Sequence, residues 1–228
     1  MNPDRGTVDG EGARLALHRG AAVVLPNPAP LTCTVAGTDP LGVNRAKGRP
    51  AEQAVALWAH HRDTLAALEG VLDLDTGLTE VVHGLLVAER VTVLVPLRNG
   101  VRGPDWLAPA SRDGWTLLFG ARWAPLLPVL SDLPVLYVSS ANRTGRPPAG
   151  TAAEAVAMFP ADVPVLGAGS LPGADRPDGR PRAATSTVRL HPDGRLELHR
   201  RGAHDRAFAD PERFLDRLRE TYRTPGAP

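Results

Sequence analysis

The sequence predicts a single domain of the α/β (α+β) class, in which helices pack on a mixed β-sheet. Apolar runs rich in Val and Leu, each about the length of a strand, are interspersed with segments of helical periodicity. Strands and helices do not alternate strictly, which favours a mixed sheet over a purely parallel one. The chain has 228 residues, enough to bury a substantial core, and one large domain accounts for it.

Helices are predicted where apolar residues recur every three or four positions behind a capping or turn residue. The predicted helices cover residues 10–19, 39–46, 60–69, 77–89, 122–132, 151–159 and 210–222.

Strands are predicted where short apolar runs are bounded by turn formers. They cover residues 21–25, 31–35, 54–58, 91–97, 115–119, 135–139 and 163–166. A last pair, residues 185–190 and 195–199, is joined by Pro192-Asp193-Gly194 and is expected to form a hairpin.

Three parts are expected along the chain: a flexible N-terminus at 1–9, one domain at 10–203, and a C-terminal helix and tail at 204–228. Residues 224–228 are expected to be a frayed end. Residues 167–184 are dense in Gly, Pro, Arg and Asp and are too long for an ordinary connection. We interpret them as a mobile lid or a disordered insert.

Composition excludes several classes of protein. The formal net charge is +1, so no overall field attracts nucleic acid or membrane, although a local basic patch is compatible with this charge. The single cysteine, Cys33, rules out an internal disulfide, and no early apolar run is long enough for a signal peptide or a membrane span. We therefore expect a cytoplasmic protein. His60, His61 and His83 have no partners at metal-ligand spacing, so no metal site is predicted.

Lys47 is the most informative residue, because it is the one lysine in a chain with 25 arginines. A compact ammonium donates in three directions, which the planar guanidinium cannot imitate. The residue lies in Lys47-Gly48-Arg49-Pro50, which predicts a rigid basic loop able to grip an anion.

Two hydroxyl-rich clusters follow later in the chain. Ser139-Ser140-Ala141-Asn142-Arg143-Thr144-Gly145 comes directly after an apolar strand, where ligand sites are common in such sheets. The same residue types also form ordinary turns. Thr185-Ser186-Thr187-Val188 opens the late hairpin, and β-propensity alone explains its threonines.

Taken together, these three clusters resemble the motifs of the YrdC-like family, the threonylcarbamoyl-adenylate synthases of tRNA modification. The family carries Lys-x-Arg-Pro, then Ser/Thr-Ser-Ala-Asn-x-Ser-Gly after a central strand, and a late Ser-Thr-Val. Arg200-Arg201-Gly202-Ala203 is similar to the Leu-Arg-Pro-Gly-Ala that follows the family's last strand. The resemblance covers residues 10–203 and implies a twisted mixed sheet around a deep basic cleft that binds ATP.

The resemblance also implies a reaction and a set of site residues. In the family, threonine is carboxylated by bicarbonate, and the carbamate attacks the α-phosphate of ATP and expels pyrophosphate, with Mg²⁺ on the departing phosphates. By this resemblance Lys47 and Arg49 are the catalytic cations. The nucleotide would contact Lys47, Arg49, Ser139, Ser140, Asn142, Ser186 and Arg200, and the amine substrate would contact Asn27, Ser186 and Arg122.

The chain departs from the family in its first motif. Where the family has Pro-Thr-Asp/Glu-Thr-Val-Tyr-Gly-Leu, this chain has Pro26-Asn27-Pro28-Ala29-Pro30-Leu31-Thr32-Cys33, which lacks both threonines and the acid. A lysine common after Lys-x-Arg-Pro is Gln53, Trp-Pro-Gly-Pro is replaced by residues 87–90, and the arginine of Val-Arg-Val-Pro is absent or displaced to Arg122. The nucleotide half is therefore kept and the amino-acid half is rebuilt or lost.

Two functions follow from this pattern. One is a diverged ATP-dependent enzyme that forms a carbamoyl-type adenylate from ATP, bicarbonate and an amine, either threonine or a different acceptor. The alternative is a non-catalytic protein of the same family that binds a nucleotide or double-stranded RNA. The near-neutral charge and the few aromatic residues argue against strong RNA binding.

Overall fold

The computed structural model describes residues 6–173 and 181–222. Within these residues lie seven α-helices: α1 (Gly10–His18), α2 (Pro40–Lys47), α3 (Arg62–Leu68), α4 (Thr76–Val87), α5 (Leu127–Leu130), α6 (Ala152–Met158) and α7 (Pro211–Thr221). None of the described helices is long and apolar enough to span a membrane.

Nine described strands form one mixed sheet: β1 (Val23–Leu25), β2 (Thr34–Gly37), β3 (Ala56–Trp58), β4 (Thr92–Pro96), β5 (Ser111–Arg112), β6 (Trp115–Phe119), β7 (Tyr137–Ser140), β8 (Thr187–Leu190) and β9 (Leu196–Arg200). Their order is β1-β2-β7-β3-β6-β4-β8-β9, and β5 adds to β6. The β3–β6 and β4–β8 pairs are parallel and the other pairs are antiparallel. The expected α/β fold with a mixed sheet is therefore confirmed.

Two apolar clusters cover the two faces of the sheet, because neighbouring strand residues point to opposite sides. Val23 and Leu25 of β1 pack in one cluster with Leu17 of α1 and Leu130 of α5. Val24 packs in the other cluster, to which α2, α3, α4, α6 and α7 all contribute buried side chains. Two helices thus lie on one face and five on the other.

Helix starts are set by local side chains, as their sequences suggest. Asp9, Asp39, Asp75, Thr151 and Asp210 each accept a hydrogen bond from a backbone N–H in the first turn of α1, α2, α4, α6 and α7 respectively. The α2 helix ends at Gly48, whose φ of 64° lies in the left-handed region that favours glycine. This turn determines where the Lys47 and Arg49 side chains leave the backbone.

Two predicted elements are wrong in the structure. The helix expected at 122–132 is reduced to a 3₁₀ turn at Ala124–Leu126 and the four residues of α5, because Pro125 and Pro128 lack the N–H that a longer helix requires. The strand expected at 163–166 forms only isolated bridges, from Val165 to Val24 and from Leu166 to Val8, because Pro164 has no N–H for a continuous ladder. The 3₁₀ helix Asp105–Ala110 and β5 were not predicted.

Smaller differences concern the boundaries of elements and the chain ends. Strand β2 begins three residues later than expected, at Thr34, and β8 begins at Thr187 rather than at Thr185. His60 is buried, and its ring contacts the carbonyls of Trp58 and Leu133 at 3.0 Å each. In the N-terminal segment the backbone N–H of Val8 donates to the Val165 carbonyl at 2.8 Å. The structure does not describe residues 1–5, the middle of the 167–184 segment or the 224–228 end.

Candidate functional site

A cavity of about 210 Å³ lies at the strand ends in the middle of the sheet. Strands β2, β3, β4, β6 and β7 contribute to its wall, together with the loop before β2, the turn after α2 and the end of β9. Its apolar lining is Leu31, Ala54, Val55, Ala56, Leu117, Phe119, Val138 and Ala184, and its polar lining is Asn27, Thr32, Thr34, Arg49, Thr92, Ser139, Ser140, Thr185 and Arg200. Among the described lining residues there are two guanidinium groups and no carboxylate, so the cavity favours an anion.

Arg49 is held in the cavity wall by Asn44. The Asn44 side chain is buried, and its Nδ2 donates to the carbonyls of Ala51 at 2.7 Å and Gln53 at 2.8 Å. Its Oδ1 is thereby directed to accept the Nε–H of Arg49. The Arg49 Nη2 atom is buried and has no hydrogen-bond partner, and burial lowers the pKa of this guanidinium. Arg49 thus brings a cation held in one orientation to the cavity lining, which suits an oxyanion.

Arg200 brings the second guanidinium to the cavity from the end of β9. Its Nη2 donates to the Thr185 carbonyl at 3.2 Å. The Thr185 hydroxyl pairs with the Thr92 hydroxyl at 2.6 Å, which joins β4 to the segment before β8. The two cations therefore reach the cavity from opposite halves of the chain.

Lys47 lies behind the cavity wall and is not part of its lining. The residue is 4% exposed, and its Nζ donates to the Ser140 carbonyl, to the Asn142 carbonyl at 2.9 Å and to Asn142 Oδ1 at 2.8 Å. These acceptors use all three N–H bonds of the ammonium. Burial, together with the positive charges of Arg49 and Arg200, lowers the pKa of Lys47 to about 7.

Asn142 belongs to the same cluster as Lys47 and also lies outside the cavity lining. Its Oδ1 accepts the Ser140 hydroxyl at 2.6 Å, and its Nδ2 donates to the Arg146 carbonyl at 2.9 Å. Lys47 and Asn142 thus fix the loop after β7, and this loop sets the position of Ser139 and Ser140 in the cavity wall.

Asn27 lines the cavity near Thr34, the strand partner of Ser140, and is 3% exposed. Its Nδ2 donates to the Thr32 carbonyl at 2.8 Å and faces the Thr34 hydroxyl at 3.4 Å. Its Oδ1 is buried with no hydrogen-bond partner. The loop itself is held by Arg182, which donates to the carbonyls of Asn27 and Leu31 at 3.0 Å each.

Two predicted site residues lie away from the cavity. The Ser186 hydroxyl donates to Asp205 Oδ1 at 2.7 Å and accepts from the backbone N–H groups of His204 and Asp205 at 3.1 Å each. Its hydrogen-bonding capacity is used inside the protein. Arg122 is exposed and is absent from the cavity lining. The structure therefore brings together Asn27, Arg49, Ser139, Ser140 and Arg200, and sets Lys47, Asn142, Ser186 and Arg122 apart from them.

Sequence reasoning missed several residues of the cavity. Thr32, Thr34 and Thr92 line it, and Asn44 supports it. Threonines in strands are explained by β-propensity, so nothing local distinguished them. Among the described residues, no group of three His, Cys, Asp or Glu side chains is arranged to hold a metal ion.

Comparison with known proteins identifies the fold. No family model matches the sequence, and no curated protein matches it significantly. P. abyssi Sua5 complexed with L-threonine superposes with a TM-score of 0.57 at 16% identity, over 80% of this chain and 52% of that one. Full-length HypF in its phosphate- and nucleotide-bound form gives 0.59 at 17% identity, over 86% of this chain and 29% of that one. E. coli YciO gives 0.55 at 13% identity, over 85% of this chain and 88% of that one.

The chain spans about half the length of the P. abyssi Sua5 chain that it matches. The similarity to three differently named proteins extends over at least 80% of this chain, so it concerns the whole sheet and not one motif. Together with the mixed sheet of nine described strands, it shows that this protein has a YrdC-like fold.

Proposed function

We propose that this protein binds ATP at the cavity and forms a carbamoyl-type adenylate from ATP, bicarbonate and an amine, with release of pyrophosphate. The observation that carries the proposal is the meeting of Arg49 and Arg200 in a hydroxyl-lined cavity with no carboxylate among its described residues. Sua5 with bound L-threonine and HypF with bound phosphate and nucleotide share the fold, which supports an amino-acid-like and a nucleotide ligand.

The chemistry needs charge stabilisation more than it needs a strong base. The amine nitrogen bonds to the carbon of bicarbonate, water leaves, and a carbamate forms. A carbamate oxygen then bonds to the α-phosphorus while the bond to the β-phosphate oxygen breaks, so negative charge accumulates on the departing pyrophosphate. Arg49 and Arg200 would stabilise these oxyanions, since fixed guanidinium groups in a confined site need no reorganisation as the charge develops.

The uncharged polar side chains of the cavity would support the two cations. The hydroxyls of Ser139, Ser140 and Thr34 supply donors and acceptors around the ligands. Mg²⁺, if it accompanies ATP, would take its ligands from phosphate oxygens, hydroxyls and water, because no described lining residue offers a carboxylate. At about 210 Å³ the cavity is smaller than the roughly 300–1,000 Å³ of sites for drug-sized ligands, so it would hold only the reacting part of a nucleotide.

Lys47 acts in this proposal as a positioning residue. Its three N–H bonds go to Ser140 and Asn142, so it shapes the wall that carries the β7 serines without facing the cavity.

The direct test measures pyrophosphate release from ATP, Mg²⁺ and bicarbonate, with threonine and then with a panel of other amino acids and amines. We expect release that requires an amine and falls at least about 100-fold in Arg49→Gln, as removal of one charge-stabilising donor does in other enzymes. Arg45→Gln is the matched control, because Arg45 is an exposed cation at the end of the same helix. Equal release by wild type and Arg49→Gln would contradict the proposed site.

A second candidate is a protein that binds a nucleotide without catalysis. The specific observation in its favour is that the Lys47 ammonium is fully used by the loop after β7, which leaves two cations rather than three for the ligand phosphates. ATP would then raise the melting temperature while no amine elicits pyrophosphate. A rise with duplex RNA and none with ATP would favour RNA as the ligand over both proposals.

A further inference from the structure

A second cavity, of about 200 Å³, lies between α3 and α4. Its lining comes from α3 and the turn after it, from α4 and from β6: Leu65, Leu68, Glu69, Leu72, Thr79, Glu80, Val82, His83 and Leu118. Within each helix these residues are spaced three or four apart or adjacent, which places them on the facing sides of α3 and α4. The proposed function uses none of them.

The sheet separates the second cavity from the first. Leu117 and Phe119 of β6 line the first cavity, whereas Leu118, the residue between them, lines the second. Successive side chains of a strand point to opposite faces of the sheet. The two cavities therefore lie on opposite faces, and a ligand in the second cannot contact a ligand in the first.

The second cavity is apolar in its depth and polar at its mouth. Four of its apolar residues are buried: Leu68, Leu72, Val82 and Leu118. Leu65 is partly buried against the same core. Glu69, Glu80 and His83 are exposed. A ligand of this cavity thus needs an apolar body with a polar group at one end.

The mouth of the second cavity carries negative charge. Within the part of the chain that the structure describes, the carboxylates of Glu69 and Glu80 have no ion pair and no hydrogen-bond partner. The segment 63–88 holds five acidic residues and no lysine or arginine, although the whole chain has a net charge of +1. The first cavity has the opposite character, with two guanidinium groups and no carboxylate among its described lining residues. The second cavity therefore favours a cation.

The volume limits the size of the apolar body. In an engineered protein, an apolar cavity of about 150 Å³ takes up benzene. The second cavity, at about 200 Å³, has room for a phenyl ring or a branched alkyl group on a short chain.

We propose that the second cavity is a binding site for an apolar ammonium ion, with the ring or alkyl group between α3 and α4 and the ammonium beside Glu69 and Glu80. The site does not depend on the adenylation proposed above, because it lies on the other face of the sheet and needs no nucleotide. An anion of the same shape is disfavoured by the same two carboxylates.

The test uses three probes of similar shape and different charge: phenethylammonium, the neutral 2-phenylethanol and the anionic 3-phenylpropanoate. Each is titrated without ATP into the ¹⁵N-labelled full chain at low salt and about pH 7.5, where histidines are mostly uncharged. Amide shifts in NMR spectra report both the affinity and the place of binding. We expect shifts centred on α3 and α4, with phenethylammonium binding about fivefold more tightly than 2-phenylethanol and 3-phenylpropanoate binding most weakly. High salt should reduce this preference, because the carboxylates are exposed.

Reversing the charge at the mouth provides a gain of binding that a misfolded variant cannot imitate. In the double variant Glu69→Lys, Glu80→Lys the order of the probes should reverse, so that 3-phenylpropanoate binds about fivefold more tightly than 2-phenylethanol. Both side chains are exposed, so the fold should tolerate the change. Asp162→Lys is the matched control, because Asp162 is exposed and lines neither cavity, and it should keep the wild-type order.

A further variant tests the location of the site. In Leu65→Trp the larger ring should fill the cavity, and all three probes should lose affinity. Equal affinities of phenethylammonium and 2-phenylethanol at low salt, or tightest binding of 3-phenylpropanoate by the wild type, would overturn the inference. So would the absence of binding by every probe, or shifts confined to the strands around the first cavity. Pyrophosphate release is a separate measurement, and its success or failure leaves these outcomes unchanged.

Discussion

Two parts of the site treat their polar groups in opposite ways: the cluster around the loop after β7, most of which lies outside the cavity lining, and the residues Asn27 and Arg49, which line the cavity. On the β7 side, Lys47, Ser140 and Asn142 bond to one another and to backbone carbonyls, and no atom of these three side chains is among the buried groups without a partner. On the other side, Asn27 and Arg49 each keep one buried atom unpaired. Lys47 and Arg49 belong to the same Lys-x-Arg-Pro motif, so motif membership does not distinguish a group paired inside the protein from one at the cavity.

The difference has an energetic basis. A buried polar group that is paired inside the protein contributes to stability, and an unpaired one costs about 1–3 kcal/mol until a ligand satisfies it. We therefore expect substitutions in the paired clusters to lower stability and substitutions at Asn27 and Arg49 to lower binding. The Ser186–Asp205 cluster behind the late hairpin belongs with the paired groups.

The largest loss of stability is expected at Asp205, which is fully buried. Its carboxylate accepts from the Ser186 hydroxyl at 2.7 Å, the Gly202 N–H at 2.6 Å and Arg201 Nε at 2.9 Å. Asp205→Ala leaves the Ser186 hydroxyl and the Gly202 N–H without a buried acceptor, while the largely exposed Arg201 can bond to water, and should lower the free energy of unfolding by about 3–5 kcal/mol. Urea unfolding measures the loss. Asp162→Ala, at an exposed position, is the control, and an equal loss in both variants would refute the assignment.

A smaller loss is expected in Lys47→Met, which keeps the length of the side chain and removes its donors. Three oxygens of Ser140 and Asn142 lose their partner, so the free energy of unfolding should fall by about 2 kcal/mol. Arg49→Met is the informative comparison. It loses one hydrogen bond, from Nε to Asn44, against three in Lys47→Met, so it should cost less stability than Lys47→Met and more ligand affinity. The reverse order would show that the two sides have been assigned the wrong way round.

The smallest effect, when counted per pH unit, is a pH dependence that belongs to Lys47. Its pKa is about 7 in the folded protein and about 10.4 in an unfolded chain, so folding releases a proton between these values. The unfolded state binds more protons in this window, and stability therefore rises with pH, by at most about 1.4 kcal/mol per pH unit. We expect the stability of the wild type relative to Lys47→Met to increase between about pH 7 and pH 9 in urea unfolding. All other titrating groups are common to both proteins, so a flat difference would mean that Lys47 keeps an ordinary pKa.

Local sequence signals predicted most of the fold. The capping aspartates and the spacing of apolar residues located α1, α2, α4 and α7, and short apolar runs located β4 and β6. The wrong elements both contain prolines inside an apolar run, at Pro125 and Pro128 and at Pro164. In both runs the hydrophobic pattern predicts a regular element, but the prolines lack the N–H groups that the element needs.

The site was predicted less completely. Five of the predicted residues, Asn27, Arg49, Ser139, Ser140 and Arg200, line the cavity, and their binding of substrate or nucleotide stays a prediction. Lys47 and Asn142 do not line the cavity and bond to each other instead. Ser186 bonds to Asp205, and Arg122 is exposed away from the cavity. Lys47 stood out because it is the one lysine in the chain, but this gave no information on whether its ammonium faces a ligand or the backbone.

The sequence determined the class of the fold, the helix starts and the residue types available for an anion site, because these depend on periodicity and on contacts within a few residues. The tertiary structure decided which of those residues meet. Lys47 and Asn142 are 95 residues apart and become partners only when α2 packs beside β7. Which polar atoms find a partner depends on such distant neighbours, so only the folded chain shows that Asn27 Oδ1 and Arg49 Nη2 have none.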